Sequence, residues 1–295
     1  MEASGSLVSG YLIKAVQAAG HIAVGSDITE WNHGAALCDR YLQVKPASDP
    51  DLWDDLFAQL HQEQIALVIP SLDETLAGWA EKAVELRERG HYVAISPAET
   101  IAICMDKWRT YEFFRSTGVP CPASSLAQDY RLVKPRMGRG GKGLQITDSR
   151  VDMAGMLSQE IVSGTEYTID CLFDRDGQPV YTIPRRRIGV RDGKSTQGVV
   201  EHQPLIDQWV RHIARALHFV GPVNLQCFLN GCGDIWFIEI NPRIAGGMAL
   251  GMAASENWVP LIIANLMDGQ AITPKPVRYG TRMARYYAEC FISAG

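Results

Sequence analysis

The sequence predicts an α/β plus α+β protein: a parallel α/β part followed by a second half built on antiparallel sheets. Three observations predict it. In the first hundred residues, short apolar runs alternate with amphipathic helical patterns, the signature of parallel strands with crossover helices. In the second half, apolar runs pair across tight polar turns, as antiparallel hairpins do. Between them lies a glycine-rich stretch, residues 138–143, with no helical period.

Taken in order, residues 7–19 read as a helix with apolar positions at Leu7, Leu12, Ile13 and Val16, stopped by Gly20. Residues 22–25 form a short strand running to Asp27, and 42–44 a second. Residues 51–62 are a helix introduced by Pro50, 66–70 a buried strand, 75–89 a helix closed by Gly90, and 92–95 a strand. A nucleotide-type fold opens on a strand that feeds a small-residue turn. Here Ala3-Ser4-Gly5-Ser6 resembles the turn with no strand before it, so the expectation is a lobe trimmed of, or truncated before, its first strand. Residues 97–104 and 106–116 read as helices, 131–134 as a strand into the glycine loop, and 153–157 as one helical turn. Residues 167–173 pair with 179–190 across Arg175-Asp176-Gly177, and 223–229 with 234–240 across Asn230–Gly233, with a helix at 207–218 between the hairpins. Helices at 248–254 and 258–267 and a closing strand at 282–292 complete the chain.

Bulk properties exclude several function classes. A net charge of −5 and a pI near 5.8 argue against nucleic acid as a partner, because such proteins carry a basic face. No run of about 18 apolar residues suits a membrane span. The seven cysteines are scattered and never form a CxxC pair, which fits reduced thiols, a cytoplasmic chain and no zinc site.

Three groups of residues carry chemistry. Lys134-Pro135 leads into Gly138-Arg139-Gly140-Gly141-Lys142-Gly143. Glycines let several N–H groups converge on phosphate oxygens, and Lys134 and Lys142 would neutralise their charge. The same residues also fit a plain glycine hairpin, and the P-loop pattern is absent. Gln226, Glu239 and Asn241 form the second group: Glu239 and Asn241 share a strand face, and the hairpin can set Gln226 opposite them. One carboxylate with two amide oxygens suits magnesium shared with nucleotide phosphates, although a polar strand end would look the same. Arg243 follows two residues on, where a guanidinium would stabilise developing negative charge. Gly246-Gly247 opens the 248–254 helix, whose free N–H groups would suit a carboxylate. In Arg185-Arg186-Arg187, the outer two share a face and read either as phosphate or carboxylate ligands or as a solvated strand edge. Residues 195–198 after a turn at Asp192-Gly193 are assigned to the acceptor pocket. Asp73-Glu74, at the end of a strand, reads as a cap for the next helix, with reach to the ligand as the alternative.

Glu239-Ile240-Asn241-Pro242-Arg243 resembles the E-x-N-x-R segment of the ATP-grasp superfamily. Five further segments resemble its motifs in family order: Met105-Asp106-Lys107 with residues 118–122 downstream, Lys134-Pro135 with the glycine loop, Gln159–Val162, Glu166 in Gly164–Tyr167, and Asn224-Leu225-Gln226. The whole is most similar to the carbamoyl phosphate synthetase-like branch, including stand-alone carboxylate–amine ligases. The resemblance implies a pre-ATP-grasp domain over 1–104, a central ATP-grasp lobe over 105–164 and a C-terminal lobe over 165–295. The segments between Pro122 and Arg131 and over 147–159 are shorter than in relatives, so the central lobe is expected to be minimal.

By that resemblance, Lys107 and Lys134 contact phosphates, and Gly140, Gly141 and Lys142 close over them. Glu160, Ile161 and Val162 meet adenine, and Glu166 holds the ribose. Gln226, Glu239 and Asn241 bind Mg2+, with Mn2+ as a substitute. Arg243 is catalytic, joined by Arg185 and Arg187. The implied reaction activates a carboxylate, an amino acid by preference, with ATP as an acyl-phosphate, and passes it to an amine. The alternatives are a bicarbonate-activating enzyme and a catalytically silent ATP-binding regulatory protein. The resemblance leaves room for a homodimer.

Overall fold

The computed structural model describes residues 1–6, 9–191, 194–286 and 288–291. The N-terminal part contains α1 (Ser9–Ala18), β1 (Val24–Asp27), α2 (His33–Leu37), β2 (Arg40–Gln43), α3 (Leu52–Gln62), β3 (Leu67–Val68), α4 (Leu76–Glu88) and β4 (Tyr92–Val93). As the alternating pattern requires, β1 pairs with β2 and β3 with β4, both in parallel. The short α2 went unread in the sequence; its signal was Asn32, whose side chain caps the helix by accepting from the Ala35 N–H.

Met1–Ser4 fills the gap between the two strand pairs. The Met1 ammonium donates to the Val24 carbonyl (3.0 Å) and the Met1 carbonyl accepts from the Ser26 N–H (2.9 Å), the pattern of a parallel ladder. On the other side, the buried Glu2 carboxylate accepts from Thr75 Oγ1 (2.8 Å) and Trp79 Nε1 (2.7 Å). Burial pushes the Glu2 carboxyl up, and these donors oppose that shift. The small-residue turn therefore does follow a hydrogen-bonded segment, which is too short to read as a strand from sequence.

Next come α5 (Ala98–Met105), α6 (Lys107–Thr117), β5 (Ser124–Ser125), β6 (Leu132–Pro135), β7 (Gln145–Ile146) and β8 (Met156–Gln159). The strands form an antiparallel sheet in the order β5-β8-β6-β7. The helical turn expected at 153–157 is instead the start of β8. Gly155, at φ +69°, breaks the chain before Met156, and Leu157 then pairs with Lys134 across the sheet with its side chain fully buried.

The C-terminal half contains β9 (Thr165–Phe173), β10 (Pro179–Arg191), β11 (Lys194–Val200), α7 (Pro204–Ala216), β12 (Gly221–Leu229), β13 (Ile235–Asn241), α8 (Met248–Ala254), α9 (Trp258–Leu266) and β14 (Arg282–Ala284). Both expected hairpins form within a six-stranded sheet of order β13-β12-β9-β10-β11-β14. The closing strand spans three residues rather than the eleven expected at 282–292, and Ile292 lies outside the described residues, as does the Asp192-Gly193 turn.

Helices cover both faces of this sheet, so most of β9 is buried on both sides, with Tyr167, Ile169, Cys171 and Phe173 on one face and Thr168, Asp170 and Leu172 on the other. On one face, Phe114 of α6 and Ile206, Val210 and Ile213 of α7 pack on Ile169, Cys171, Val223, Leu225 and Phe237. On the other, Leu12, Ala15, Ile69 and Ala94 from the N-terminal part share a core with Leu172, Tyr181, Ile183, Met248 and Trp258. The first hundred residues also keep a core of their own around Leu52, Leu56, Leu76 and Trp79.

Candidate active site

A cleft of about 350 Å³ opens between the four-stranded sheet and the β12–β13 end of the six-stranded sheet. Its roof is the β6–β7 glycine flap, its floor is Gln226, Phe228, Ile238 and Glu239, and its back is the hinge Glu160–Val162.

The two lysines are set by different devices. Lys107 is the first residue of α6, capped by Asp106, whose carboxylate accepts from the Trp108 N–H (2.9 Å). Arg136 donates to the same carboxylate (Nε to Oδ1, 3.1 Å), which ties the start of α6 to the end of β6. Burial opposes ionisation of Asp106, but Arg136 holds its pKa below the usual carboxylate range. Lys107 Nζ then lies 3.5 Å from Glu239 Oε1 and donates to the Gly138 carbonyl of the flap (2.7 Å). Lys134, on β6, is buried and donates to Gln159 Oε1 (2.8 Å). Burial pushes its pKa down to about 8 against the attraction of Glu239, with Lys107 adding a smaller downward push.

Gln226 and Glu239 stand directly opposite each other in the β12–β13 register, and Asn224 faces Asn241. A register shift at Gln226/Cys227 leaves Ile238 as the extra residue, so both Ile238 and Glu239 face the cleft. Asn241 Oδ1 accepts from Arg243 Nη2 (3.3 Å) beyond the cavity lining. One carboxylate and two amide oxygens on adjacent strands match the hard-oxygen preference of magnesium. Among the described residues no group of three His, Cys, Asp or Glu side chains could hold a metal alone, so a cation here would need ligand oxygens as well.

The structure thus brings Lys107, Lys134, Gly140, Gly141, Lys142, Glu160, Ile161, Val162, Glu166, Arg187, Gln226 and Glu239 to one cavity. Glu166 is ion-paired to Arg187, whose Nε also donates to Ser195 Oγ (2.9 Å). Arg185 is elsewhere, contrary to the expectation of a catalytic role. It is 2% exposed and donates from Nε and Nη2 to the fully buried Asp170 (2.5 and 2.9 Å), which also accepts from Asn224 Nδ2 (2.9 Å). Strand alternation correctly put Arg185 and Arg187 on one face, but that face is overlaid at residue 185 by the α8 segment. A methyl on Gly247 would lie 2.7 Å from Arg185 Cζ, and one on Gly251 2.8 Å from Asp170 Oδ2. Gly247→Ala is accordingly expected to cost about 1–3 kcal/mol in denaturant unfolding, the usual penalty for overpacking.

Asp73 is the second correction. Its carboxylate does not cap the following helix; it takes a two-point ion pair from Arg243 (Nε to Oδ1 2.5 Å, Nη2 to Oδ2 2.8 Å). The apolar lining at Phe228 and Ile238 also escaped the sequence reading. Phe228 was accessible to it, lying two residues from Gln226 on the same face.

Residues 152–288 match the family model described as "ATP-grasp in the biosynthetic pathway with Ter operon". The arginine-specific carbamoyl phosphate synthase large chain of Bacillus subtilis (strain 168) is 31% identical over 134 aligned positions, covering 38% of this chain and 13% of that protein. Residues 152–288 are thus similar to the ATP-grasp family. The chain is similar to the carbamoyl phosphate synthase large chains and spans only a small part of their length. Two solved structures share the ATP-grasp fold. Biotin carboxylase from Campylobacter jejuni has a TM-score of 0.74 at 13% identity, covering 93% of this chain and 72% of that one. The L-amino acid ligase from Bacillus licheniformis has a TM-score of 0.71 at 16% identity, covering 89% and 72%.

Proposed function

We propose that the chain is an ATP-dependent, ADP-forming carboxylate–amine ligase. The observation that carries this reading is the convergence of Lys107, Lys134, Gln226 and Glu239 beneath a glycine flap in one cleft. Adenine lies between the apolar lining at Phe228 and Ile238 and the hinge at residues 160–162, and Glu166 accepts from the ribose hydroxyls. Lys107 releases Glu239 and, with Lys134, takes the phosphate oxygens. Gln226, Glu239 and Asn241 would hold magnesium, which supplies charge neutralisation on the phosphates when bound.

A substrate carboxylate oxygen attacks the γ-phosphorus, the bond to the β–γ bridging oxygen breaks, and ADP leaves. The flap keeps water from the resulting acyl-phosphate. The amine nitrogen then attacks the acyl carbon, loses a proton, and expels phosphate, while Arg243 stabilises the negative charge on the acyl oxygen. Amino acids are the proposed substrates, in keeping with the fold neighbour named an L-amino acid ligase.

The test is product analysis with Mg–ATP against a panel of amino acids and small carboxylic acids. Acid-dependent release of ADP and phosphate is expected, whereas AMP and pyrophosphate, or no turnover with any acid, would refute the reading. A pH dependence accompanies it. The ammonium form of Lys134 is the one that binds phosphate, and its pKa in the free protein is about 8. Affinity for Mg–ATP is therefore full below that pH and falls as pH rises through it, by up to about tenfold per unit for one proton. Titration calorimetry between pH 6.5 and 9.5 checks this, and Lys134→Met should flatten the alkaline limb.

A further inference from the structure

The ligase reading leaves one acidic pair without a role. Asp73 and Glu74 lie in a single 3-10 turn (Asp73–Thr75) at the carboxyl end of β3, more than 160 residues from Arg243 in sequence. Asp73 is buried, with 8% of the residue exposed, yet its carboxylate serves no partner within its own turn. It holds the Arg243 guanidinium along one edge, while the other donors reach Asn241 Oδ1 (3.3 Å) and the Ile244 carbonyl (3.2 Å). The guanidinium is thereby fixed in plane and direction, which a single contact would not achieve. A second arginine arrives from the flap. Arg139, between Gly138 and Gly140, places Nη1 3.7 Å from Asp73 Oδ2 and Nη2 3.3 Å from Glu74 Oε1.

We propose that Asp73 is a positioning residue for Arg243 and that, together with Glu74, it anchors the glycine flap through Arg139. One turn of the N-terminal part then fixes both the orientation of the arginine and the position of the cleft's roof. The physical logic is that flap residues 138–143 are rich in glycine and exposed, and so have little packing of their own to hold them. One buried carboxylate, Asp73, and one exposed one, Glu74, facing two guanidiniums supply that hold without apolar contact. The arrangement also gives Arg243 a countercharge, so the guanidinium is kept in place before any anionic ligand arrives, which is the condition for preorganised stabilisation of charge.

The turnover arm of the test rests on the ligase reading; the spectroscopic arm does not. In 15N–1H spectra of arginine Nε–Hε groups on the nucleotide-free protein, with Arg243 assigned from Arg243→Lys, the Arg243 proton is expected to exchange about tenfold more slowly than those of exposed arginines, and to lose that protection in Asp73→Asn. In kinetics, Asp73→Asn should lower kcat by about 100-fold while the KM for ATP shifts far less, as expected when an interaction used in the transition state is misaligned. Asp73→Glu, which keeps the charge but moves the carboxylate by one methylene, should recover about tenfold of that loss and leave the remainder. Arg139→Gln and Glu74→Gln should each raise the KM for ATP by about fivefold with kcat within threefold, because both release the flap.

An Arg243 signal indifferent to Asp73→Asn overturns the positioning role. An effect of Arg139→Gln that Glu74→Gln does not reproduce overturns the anchor, because it would mean that Arg139 binds phosphate directly. Should Asp73→Asn fail to fold, Asp73→Glu decides alone: protection and kcat both equal to wild type would count against the proposal. A wild-type protein that turns over no acid but shows the protected Arg243 signal would sink the ligase reading and leave the joint standing.

Discussion

Glu239→Ala is expected to abolish acid-dependent ADP release, by about 10³-fold in kcat/KM, while leaving the fold intact. Three functions meet at this carboxylate. It is the one carboxylate in the oxygen cluster with Gln226 and Asn241, it faces Gln226 in register, and it is the ion-pair partner of Lys107. Removing it leaves two neutral amides, which bind a divalent cation poorly. It also removes the attraction that opposes the burial penalty on Lys134, so that lysine should lose its proton at lower pH. Glu239→Gln should fall nearly as far, because it keeps the shape and loses the charge. The fold should survive, because the side chain is partly exposed at the cleft and the strand is held by its neighbours Phe237 and Ile240 in the core. Initial rates with Mg–ATP, alongside circular dichroism of the variants, check both halves of the expectation.

Asp170→Ala is expected to be the most destabilising single change, by about 3–5 kcal/mol, because it strands a buried guanidinium. Arg185 is 2% exposed and Asp170 fully buried, and Asn224 and the Gly251 backbone also turn toward that carboxylate. Burial opposes ionisation of Asp170, and Arg185 opposes that shift. The melting temperature should drop by roughly 5–15 °C for a chain of this length. The double variant Asp170→Leu with Arg185→Met, which replaces the pair with apolar groups of similar size, should recover much of the loss. A single variant that melts with the wild type would mean that Arg185 reaches solvent by another route.

The parts of this architecture governed by local rules were legible in the sequence. Both large hairpins follow from strand alternation across polar turns, and the alignment of Gln226 with Glu239 and Asn241 follows from the same period of two. What alternation cannot supply is what lies above a strand. Arg185 and Arg187 share a face as expected, yet one meets Asp170 under α8 and the other Glu166 at the cleft. That difference is made by α8, about 60 residues further along the chain. Asp73 was misread for a related reason: a carboxylate before a helix is usually a cap, and only the tertiary contact with Arg243 shows otherwise. Strand β8 was hidden because it has four residues and three consecutive buried positions, Leu157, Ser158 and Gln159, which leaves no alternation to read. The bulge that turns Ile238 into the cleft has no sequence marker in this chain.

The measurement that tests the central claim most directly is isotope transfer. An accepted acid from the substrate panel, labelled with 18O in its carboxylate, is turned over with Mg–ATP and an amine, and the released phosphate is weighed by mass spectrometry. Attack of the carboxylate on the γ-phosphorus requires one 18O atom in each phosphate formed, and that label should vanish with Glu239→Ala. Unlabelled phosphate released at the full rate would mean that water, not the carboxylate, receives the phosphoryl group, and would contradict the assignment of this cleft to carboxylate activation.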